Sequence, residues 1–290
     1  MKQFYELLGI SKQAHHQHNQ RQRDQRAFES RLLTVVADIR RDHPCMGARI
    51  IYQKLRPAGI GRDRFEQLLF ANGLRVKRKK NFRRTTYAQS LYNFPNRING
   101  LELTRPNQVW QTDITYFEVG HRFYFLSLII DIYTRKLIGY AASDNMRVEA
   151  NLKALKMALR QTKQYGYKNL IHHSDRGKQF IEANYLKTLM VNEITPSHAY
   201  CAMENAYAER INGIIKNDYL KHFNIKSFQK LKAKLKQTVK LYNEQRPHQQ
   251  LPGRLSPTDF EKSGIAYVHK VFNFSTLINK EKRTKKESLH

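Results

Sequence analysis

Cysteine is nearly absent from this sequence: Cys45 and Cys201 are the only two among 290 residues. They form no Cys-x-x-Cys pair, so the pattern supports neither a disulfide framework nor a cysteine-rich zinc site, and it fits a reducing cytosol. Long apolar runs are absent too. The longest, at 123–130, is far shorter than the roughly 20 residues that a membrane-spanning helix needs. The N-terminal stretch is too polar for a secretory signal. We therefore expect a cytoplasmic protein with no membrane partner.

Acidic residues are few relative to basic ones. The chain has 24 Asp and Glu against 52 Lys and Arg, which gives a formal net charge of +28. Such an excess favours a polyanionic partner, most often nucleic acid. Hydrophobic residues make up 40% of the chain, with 15 Phe and 16 Tyr, so the chain can bury a core and is not disordered. Its length allows one large domain with a smaller one beside it.

Apolar periodicity predicts three short helices in the N-terminal part of the chain, within residues 28–44, 46–59 and 61–74. A further small helix pair, with its turn at Gly9, is predicted upstream. Three short helices joined by tight turns are typical of a helix-turn-helix module. We therefore assign residues 1–84 to a helical, DNA-binding region.

Basic side chains on and after the third of these helices are candidate DNA contacts. Arg62 and Arg64 would reach base edges if the helix enters a major groove. The run Arg75–Arg84 carries seven positive charges in ten residues, which favours phosphate contacts over a merely solvated loop. The candidates in this region are Arg62, Arg64, Arg75, Lys77, Arg78, Lys79 and Lys80.

The pattern changes after residues 85–105, a stretch without periodicity that we predict to be a linker. From 106 to 260, β-rich segments and amphipathic helices follow in the order three strands, helix, strand, helix, strand, helix. This order predicts an α/β fold, a mixed five-stranded sheet with helices on both sides. Residues 261–290 are predicted to be a basic C-terminal tail, disordered at 279–290. The predicted strands are 108–119, 122–134, 136–143, 169–175 and 194–200. The predicted helices are 147–163, 181–193, 203–223 and 227–247.

Three carboxylates stand out in this region: Asp113 inside an apolar strand, Asp175 at the end of another, and Glu209 on a helix. A lone Asp in such a strand is costly unless it is paired or bound to a cation. If the helix packs on the sheet, the three can hold two Mg²⁺ ions, which activate a water or a 3′-hydroxyl for in-line displacement. The alternatives are a structural strand acid for Asp113, a turn residue for Asp175 and an ordinary helix position for Glu209.

Neighbouring polar residues compete for a place in this site. Asp131 is predicted to be structural, paired with Arg135 or Lys136. His172 and His173 lack further partners at the spacing of a zinc site. Because side chains alternate along a strand, His173 shares the face of Asp175 and His172 points to the other side. We therefore expect His173 to lie beside the carboxylates or near DNA.

Four motifs carry a resemblance to a known family: WQTDITY, HHSDRGKQF, ENAYAERINGIIK and YNEQRPHQQL. Together they resemble the second-frame protein of IS3-type insertion sequences, often called OrfB, a DDE transposase whose core is similar to retroviral integrases. The likeness covers nearly the whole chain. It implies an RNase H-like fold for residues 106–260 and a catalytic, metal-binding triad of Asp113, Asp175 and Glu209.

The resemblance also implies roles for residues around the triad. Lys216, seven residues after Glu209, corresponds to a lysine that touches DNA. The candidate DNA contacts of this region are Lys216, Arg176, Asn212 and Arg246, and the residues expected to surround the carboxylates are His173 and Asn205.

Two departures from the family pattern concern the third carboxylate. Glu204 stands where an Asp is usual, and the 33 residues between Asp175 and Glu209 are about two fewer than usual. They make Glu204 the alternative third ligand.

The function implied by the resemblance is metal-dependent cleavage and strand transfer at the ends of a mobile DNA element. It implies two Mg²⁺ ions, with Mn²⁺ as a substitute, and no covalent protein intermediate. The expected partners are the terminal inverted repeats, target DNA, further copies of the chain, and the product of an upstream reading frame as a partner or fusion. The expected location is the bacterial cytoplasm, at the nucleoid. The alternatives are an inactive or domesticated DNA-binding repressor and an RNase H-like nuclease acting on RNA–DNA hybrids.

Overall fold

A computed structural model describes residues 11–76, 94–145 and 148–273. The chain divides into two compact units, residues 1–79 and 80–290. Each is treated by itself below.

Three helices form the described part of the N-terminal unit: α1 (Lys12–Asp42), α2 (Ala48–Leu55) and α3 (Arg62–Ala71). They enclose a small core in which Val36 of α1, Ile51 of α2 and Phe65 of α3 are fully buried. The order and spacing of the three helices agree with the sequence pattern. Arg62 and Arg64 are exposed and form ion pairs with Asp63 and Glu29, at 2.8 and 3.3 Å.

Helix α1 is much longer than its apolar periodicity predicts. It begins at Lys12, where the Ser11 hydroxyl accepts a hydrogen bond from the Ala14 amide (3.0 Å), and its first four turns are polar on every side. Side-chain hydrogen bonds four residues apart stabilise this part, such as those from Gln20 to Asp24 and from Gln25 to Glu29. The predicted helix pair is therefore wrong from residue 12 onward, and the rest of it lies outside the described residues.

A mixed five-stranded sheet forms the centre of the second unit, with spatial order β4-β3-β2-β5-β6. The first three strands along the chain pair antiparallel, whereas β5 pairs parallel to β2 and β6 pairs parallel to β5. This arrangement, flanked by helices, confirms the predicted RNase H-like fold. The strands are β2 (Val109–Val119), β3 (Arg122–Asp131), β4 (Leu137–Ser143), β5 (Ile171–Ser174) and β6 (Thr195–His198), with a short β1 (Glu102–Leu103) outside the sheet.

Helices cover both faces of this sheet. On one face, Trp110 and Ile129 pack against α4 and α5; on the other, Leu126 and Leu128 pack against the helices that follow β6. The backbones approach closely at Gly139 of β4, where a Cβ atom would lie 2.3 Å from the backbone oxygen of Ala154. The helices are α4 (Val148–Thr162), α5 (Ala183–Val191), α6 (Ala206–Gly213), α7 (Phe228–Gln245) and α8 (Pro257–Ser263). No helix in the described ranges is long and apolar enough to cross a bilayer.

The segments before and after the predicted core are packed rather than extended. Within the predicted linker, Ile98 and Leu103 are buried, and β1 pairs antiparallel with a final short strand, β7 (His269–Lys270). Val271, in the predicted tail, is also buried. Isolated apolar residues without periodicity do not reveal such packing in a sequence. Residues 94–105 and 261–273 therefore belong to the folded unit, while the remainder of both segments lies outside the described residues.

The predicted helix 203–223 is not one regular helix. A 3-10 turn (Ala202–Asn205) precedes α6, and a π-helical segment (Ile214–Tyr219) and a second 3-10 turn (Leu220–His222) follow it. π-helical turns are rare and are frequent at functional sites. This one carries Lys216.

Candidate active site

Two aspartates meet where β2 and β5 run side by side. The parallel register pairs Thr112 with Ser174, and Asp113 and Asp175 are the next residue on each strand. Both side chains are partly buried. Because β-strand side chains alternate, Asp113 points to the same face as Phe117, the face covered by α6 and α7. The sheet therefore brings together two carboxylates that are 62 positions apart in sequence.

The Asp113 carboxylate is fixed by one hydrogen bond to each oxygen. The amide of Ile114 donates to Oδ1 and the Nδ2 of Asn212, on α6, donates to Oδ2, both at 2.8 Å. Burial, followed by the charge of Asp175, raises the pKa of Asp113 to about 7. Repulsion between the two carboxylates disfavours the form in which both are ionised, and a bound cation would relieve this repulsion.

The turn after Asp175 keeps its carboxylate in place. The Gly177 amide donates to Asp175 Oδ1 (3.0 Å), and burial raises the pKa of Asp175. A Cβ atom on Gly177 would lie 2.2 Å from Gln179 Nε2, the far end of a flexible side chain, and 3.0 Å from Asp175 Oδ1, so a larger residue here would require Gln179 to move. The guanidinium of Arg176 lies 4.5 Å from the ring centre of Tyr200.

Glu209 lies on α6 and is the most exposed of the three carboxylates. Burial, then the charge of Asp175, raises its pKa. Asn205, just before the helix, donates from Nδ2 to the backbone oxygen of Thr112 (3.1 Å), next to Asp113. The helix that bears Glu209 is thus attached to the strand that bears Asp113.

Lys216 lies in the π-helical segment and reaches back to β2. Its Nζ donates to Thr115 Oγ1 (2.9 Å) and lies 4.7 Å from the ring centre of Tyr116. Burial, then the charge of Lys221, lowers the pKa of Lys216. Thr115 and Tyr116 are not among the residues predicted for this site, although Thr115 lies two positions after Asp113 and therefore on the same strand face.

A groove of about 1030 Å³ joins these residues. The residues that line it include Asp113, Glu209, Lys216, Lys221 and Phe223. Two lysines and three carboxylates (Asp113, Glu118 and Glu209) in one groove suit a substrate that is a polyanion bound together with cations.

The residues fit a divalent cation by their chemistry. Asp113, Asp175 and Glu209 provide only oxygen ligands, which Mg²⁺ prefers, and the pKa values of all three are raised. In the described parts of the chain, no three His, Cys, Asp or Glu side chains lie close enough to hold an ion as they stand. The exposed side chain of Glu209 would therefore have to turn toward the aspartates.

Glu204, the alternative third ligand, faces away from the site. It is buried, and its carboxylate accepts hydrogen bonds from Asn99 Nδ2 (3.3 Å) and from the Tyr200 amide (2.5 Å). These contacts attach the loop between β6 and α6 to the segment before β1. The geometry therefore favours Glu209 over Glu204.

The two strand histidines lie on opposite faces, as the alternation predicts. His172 Nε2 is 3.0 Å from the hydroxyl of Tyr185 on α5. His173 is fully buried, with Nδ1 2.9 Å from Ser197 Oγ on β6, and burial lowers its pKa to about 3. A residue so enclosed packs beneath the site, and the expectation that His173 reaches DNA does not fit this position.

The predicted pairing of Asp131 with Arg135 or Lys136 is wrong. Asp131 is structural, but its partners are the backbone amides of Asn107 (2.7 Å) and Thr134 (2.8 Å), since Lys136 pairs with Glu261.

Arg246 is only 6% exposed, and its guanidinium donates to Asp218 Oδ2 at 3.0 Å. It stabilises the packing of α7 against the π-helical segment, so the predicted DNA contact does not fit its position.

Among the predicted DNA contacts of the N-terminal unit, Arg75 lies beside Phe70, with its guanidinium 5.4 Å from the ring centre. The predicted contacts Lys77, Arg78, Lys79 and Lys80 lie outside the described residues.

Comparisons with known proteins agree with this fold. Residues 104–201 and 192–257 match two family models, both described as an integrase core domain. An uncharacterized 31 kDa protein of insertion element IS600 from Shigella sonnei is 34% identical over 275 residues, which cover 89% of this chain and 97% of the relative. The transposase InsF of insertion sequence IS3A from Escherichia coli strain K12 is 29% identical over 241 residues, which cover 80% and 82%.

Among solved structures, the catalytic core domain of HTLV-2 integrase in complex with magnesium is similar to part of this chain. It is 19% identical, with a TM-score of 0.44, and the match covers 54% of this chain and 97% of the integrase core.

Proposed function

Because the chain belongs to the IS3 family of insertion-sequence transposases, within the DDE transposase and retroviral integrase superfamily, we propose that Asp113, Asp175 and Glu209 are its catalytic, metal-binding carboxylates. The chain is a DDE transposase, an enzyme that cleaves and joins DNA strands by phosphoryl transfer. The observation that carries the proposal is the meeting of Asp113 and Asp175 at adjacent strand positions. Burial, followed by the charge of Asp175, raises the pKa of Asp113 to about 7.

An integrase-type core of this class implies a divalent metal. Two Mg²⁺ ions, or Mn²⁺ in their place, would supply charge stabilisation for the attacking and leaving oxygens of an in-line displacement. The protein's own contribution is to bind and orient. Asp113 and Asp175 present their carboxylates from a rigid sheet, Asn212 fixes the orientation of Asp113, and Glu209 completes the ligand set from α6.

The DNA strand would lie along the groove that Lys216 and Lys221 line. The side chain of Lys216 is held by Thr115, so its charge is placed near the carboxylates and is suited to a phosphate next to the one that reacts. Asn212 lines the same groove, and DNA contact by Arg176 remains a prediction. The substrate would be the terminal inverted repeats of the element, followed by target DNA.

Recognition of those ends would belong to the N-terminal unit. Arg62 and Arg64 on α3 are exposed and form ion pairs with Asp63 and Glu29, which suits the second, recognition helix of a helix-turn-helix module in the major groove. Joining two ends requires at least two copies of the chain on DNA, and the product of an upstream reading frame would act as a partner or fusion.

Single substitutions at the carboxylates test the assignment. Asp113→Asn and Glu209→Gln should each abolish Mg²⁺-dependent cleavage and strand transfer on DNA that carries the element ends, while a mobility-shift assay shows binding close to the parent. Glu204→Gln should keep the activity and lower stability instead. Activity retained by Asp113→Asn would refute the proposal. A parent protein that binds the ends but never cleaves them with Mg²⁺ or Mn²⁺ would instead support a DNA-binding repressor.

A further inference from the structure

Gln111 is a buried polar residue on β2 whose side chain reaches the helix that carries Glu209. It is fully buried and lies two positions before Asp113. Its Oε1 accepts hydrogen bonds from the backbone amides of Tyr207 (3.1 Å) and Ala208 (3.2 Å). Its Nε2 donates to the backbone oxygen of Glu204 (2.9 Å). Both ends of the side-chain amide are therefore bound to the start of α6.

These contacts replace an ordinary helix cap. The first amides of a helix lack partners within the helix, and the residue before it usually accepts from the second or third of them. Tyr207 and Ala208 are the second and third residues of α6. Asn205, which stands in the capping position, makes no such bond within the described chain and donates to Thr112 instead. Gln111 thus caps α6 from the neighbouring strand.

The cap connects the elements that carry two of the three carboxylates. Gln111 and Asp113 lie on the same face of one strand, and Ala208, which Gln111 binds, is directly followed by Glu209. We propose that Gln111 is a positioning residue for the active site: it sets the separation of Asp113 and Glu209 so that both reach the same cations. This inference rests on the proposed function of those carboxylates.

If Gln111 had a purely structural role, its substitution would lower stability without changing metal binding. Another buried amide in the chain serves as a matched control for that outcome. Asn243 of α7 is also a buried amide that links a helix to a strand. Its Nδ2 donates to the Leu137 oxygen (2.8 Å) and its Oδ1 accepts from the Leu137 amide (2.9 Å). It lies on a different helix and strand from the carboxylates, so Asn243→Leu removes a similar set of hydrogen bonds without touching α6.

The test measures Mn²⁺ binding to the full chain without DNA, by the loss of the free-ion electron paramagnetic resonance signal, together with thermal unfolding in EDTA. Gln111→Met and Asn243→Leu should both lower the melting temperature. Only Gln111→Met should weaken Mn²⁺ binding, by about tenfold or more, as is typical when residues that support metal ligands are lost, whereas Asn243→Leu should stay within about twofold of the parent.

The conservative variant Gln111→Glu provides the rescue. A buried glutamic acid accepts and donates hydrogen bonds at the same two positions, so it should bind Mn²⁺ nearly as the parent does. If Gln111→Met does not fold, Gln111→Asn, one methylene too short to bind α6 at both ends, takes its place. Equal Mn²⁺ affinities in the parent, Gln111→Met and Asn243→Leu would overturn the inference. A parent that neither binds Mn²⁺ nor cleaves DNA with metal would overturn the proposed function itself.

Discussion

Asn212 on α6 donates its side-chain amide to the carboxylate of Asp113 on β2 across 2.8 Å. Within the described chain, the other end of this amide, Oδ1, has no hydrogen-bond partner although it is buried. The Nδ2 group of Asn212 is thus engaged by a carboxylate. Its first effect is on Asp113, where the hydrogen bond lowers a pKa that burial and Asp175 raise.

Metal binding should depend on pH through Asp113. The pKa of this carboxyl is about 7, so it is protonated at pH 6 and ionised at pH 8 in the metal-free protein. Since a cation requires the ionised form, Mn²⁺ affinity should rise between pH 6 and pH 8. Asn212→Ala removes a hydrogen bond that favours the ionised form, and should move the midpoint upward by about one pH unit. Calorimetric titration with Mn²⁺ across this range is the measurement, and an affinity that is flat from pH 6 to 8 would contradict it.

Lys216→Ala should weaken the binding of DNA ends and lower the slope of log affinity against log salt by about one, the expectation for one lost phosphate contact. Lys216→Arg keeps the charge and should retain most of the affinity. The control is Lys156→Ala, an exposed lysine on α4, on the opposite face of the sheet. Fluorescence anisotropy at several salt concentrations measures both quantities. An unchanged slope for Lys216→Ala would place this lysine outside the DNA contact.

Arg246→Met should destabilise the fold by about 3–5 kcal/mol, because it leaves the buried carboxylate of Asp218 without its cation. The double variant Arg246→Met/Asp218→Leu should recover much of this loss. Urea unfolding gives the free energies. If Arg246→Met unfolds like the parent but binds DNA poorly, the sequence-based expectation of a DNA contact would be restored.

Gly139→Ala should destabilise the second unit by about 1–3 kcal/mol or more, the usual cost of an overpacked core. Its Cβ would lie 2.3 Å from the backbone oxygen of Ala154, so α4 would have to move off the sheet. The control is Gly213→Ala at the end of α6, where the nearest atom is 4.0 Å away and the loss of a helical glycine should stabilise by about 0.5–1 kcal/mol. Thermal unfolding distinguishes the two, and a neutral Gly139→Ala would mean that α4 yields readily.

The sequence predicts the sheet well because alternation and β-branched content are local signals. The strand pattern around Asp113 and the opposite faces of His172 and His173 follow from the period of two alone. The polar start of α1 is different: side-chain hydrogen bonds four residues apart stabilise it, and apolar periodicity does not detect them.

The position of a charged residue depends on partners that are distant in sequence. Arg246 can be buried because the carboxylate of Asp218, 28 positions earlier, pairs with it. Glu204 can be buried because Asn99 and the Tyr200 amide donate hydrogen bonds to its carboxylate. Ile98 and Leu103 close a core that is formed mostly by residues beyond 105. Neither composition nor spacing shows which distant residues pack together, so the sequence predicts a linker in a segment that is packed in the structure.

The π-helical segment Ile214–Tyr219 contains one residue more than an α-helical turn would need to span the same distance. A π turn closes its hydrogen bonds over one residue more than an α turn. Deleting Ile215 would therefore let the turn relax to an α-helix with Leu220 still in place, while Lys216 rotates by about 100° around the helix axis, the angle per residue in an α-helix. Glu209, upstream on α6, would stay where it is. Because Lys216 would then take the position of Ile215, which is fully buried in the core, one deletion would detach the groove lysine from Thr115 and also destabilise the unit.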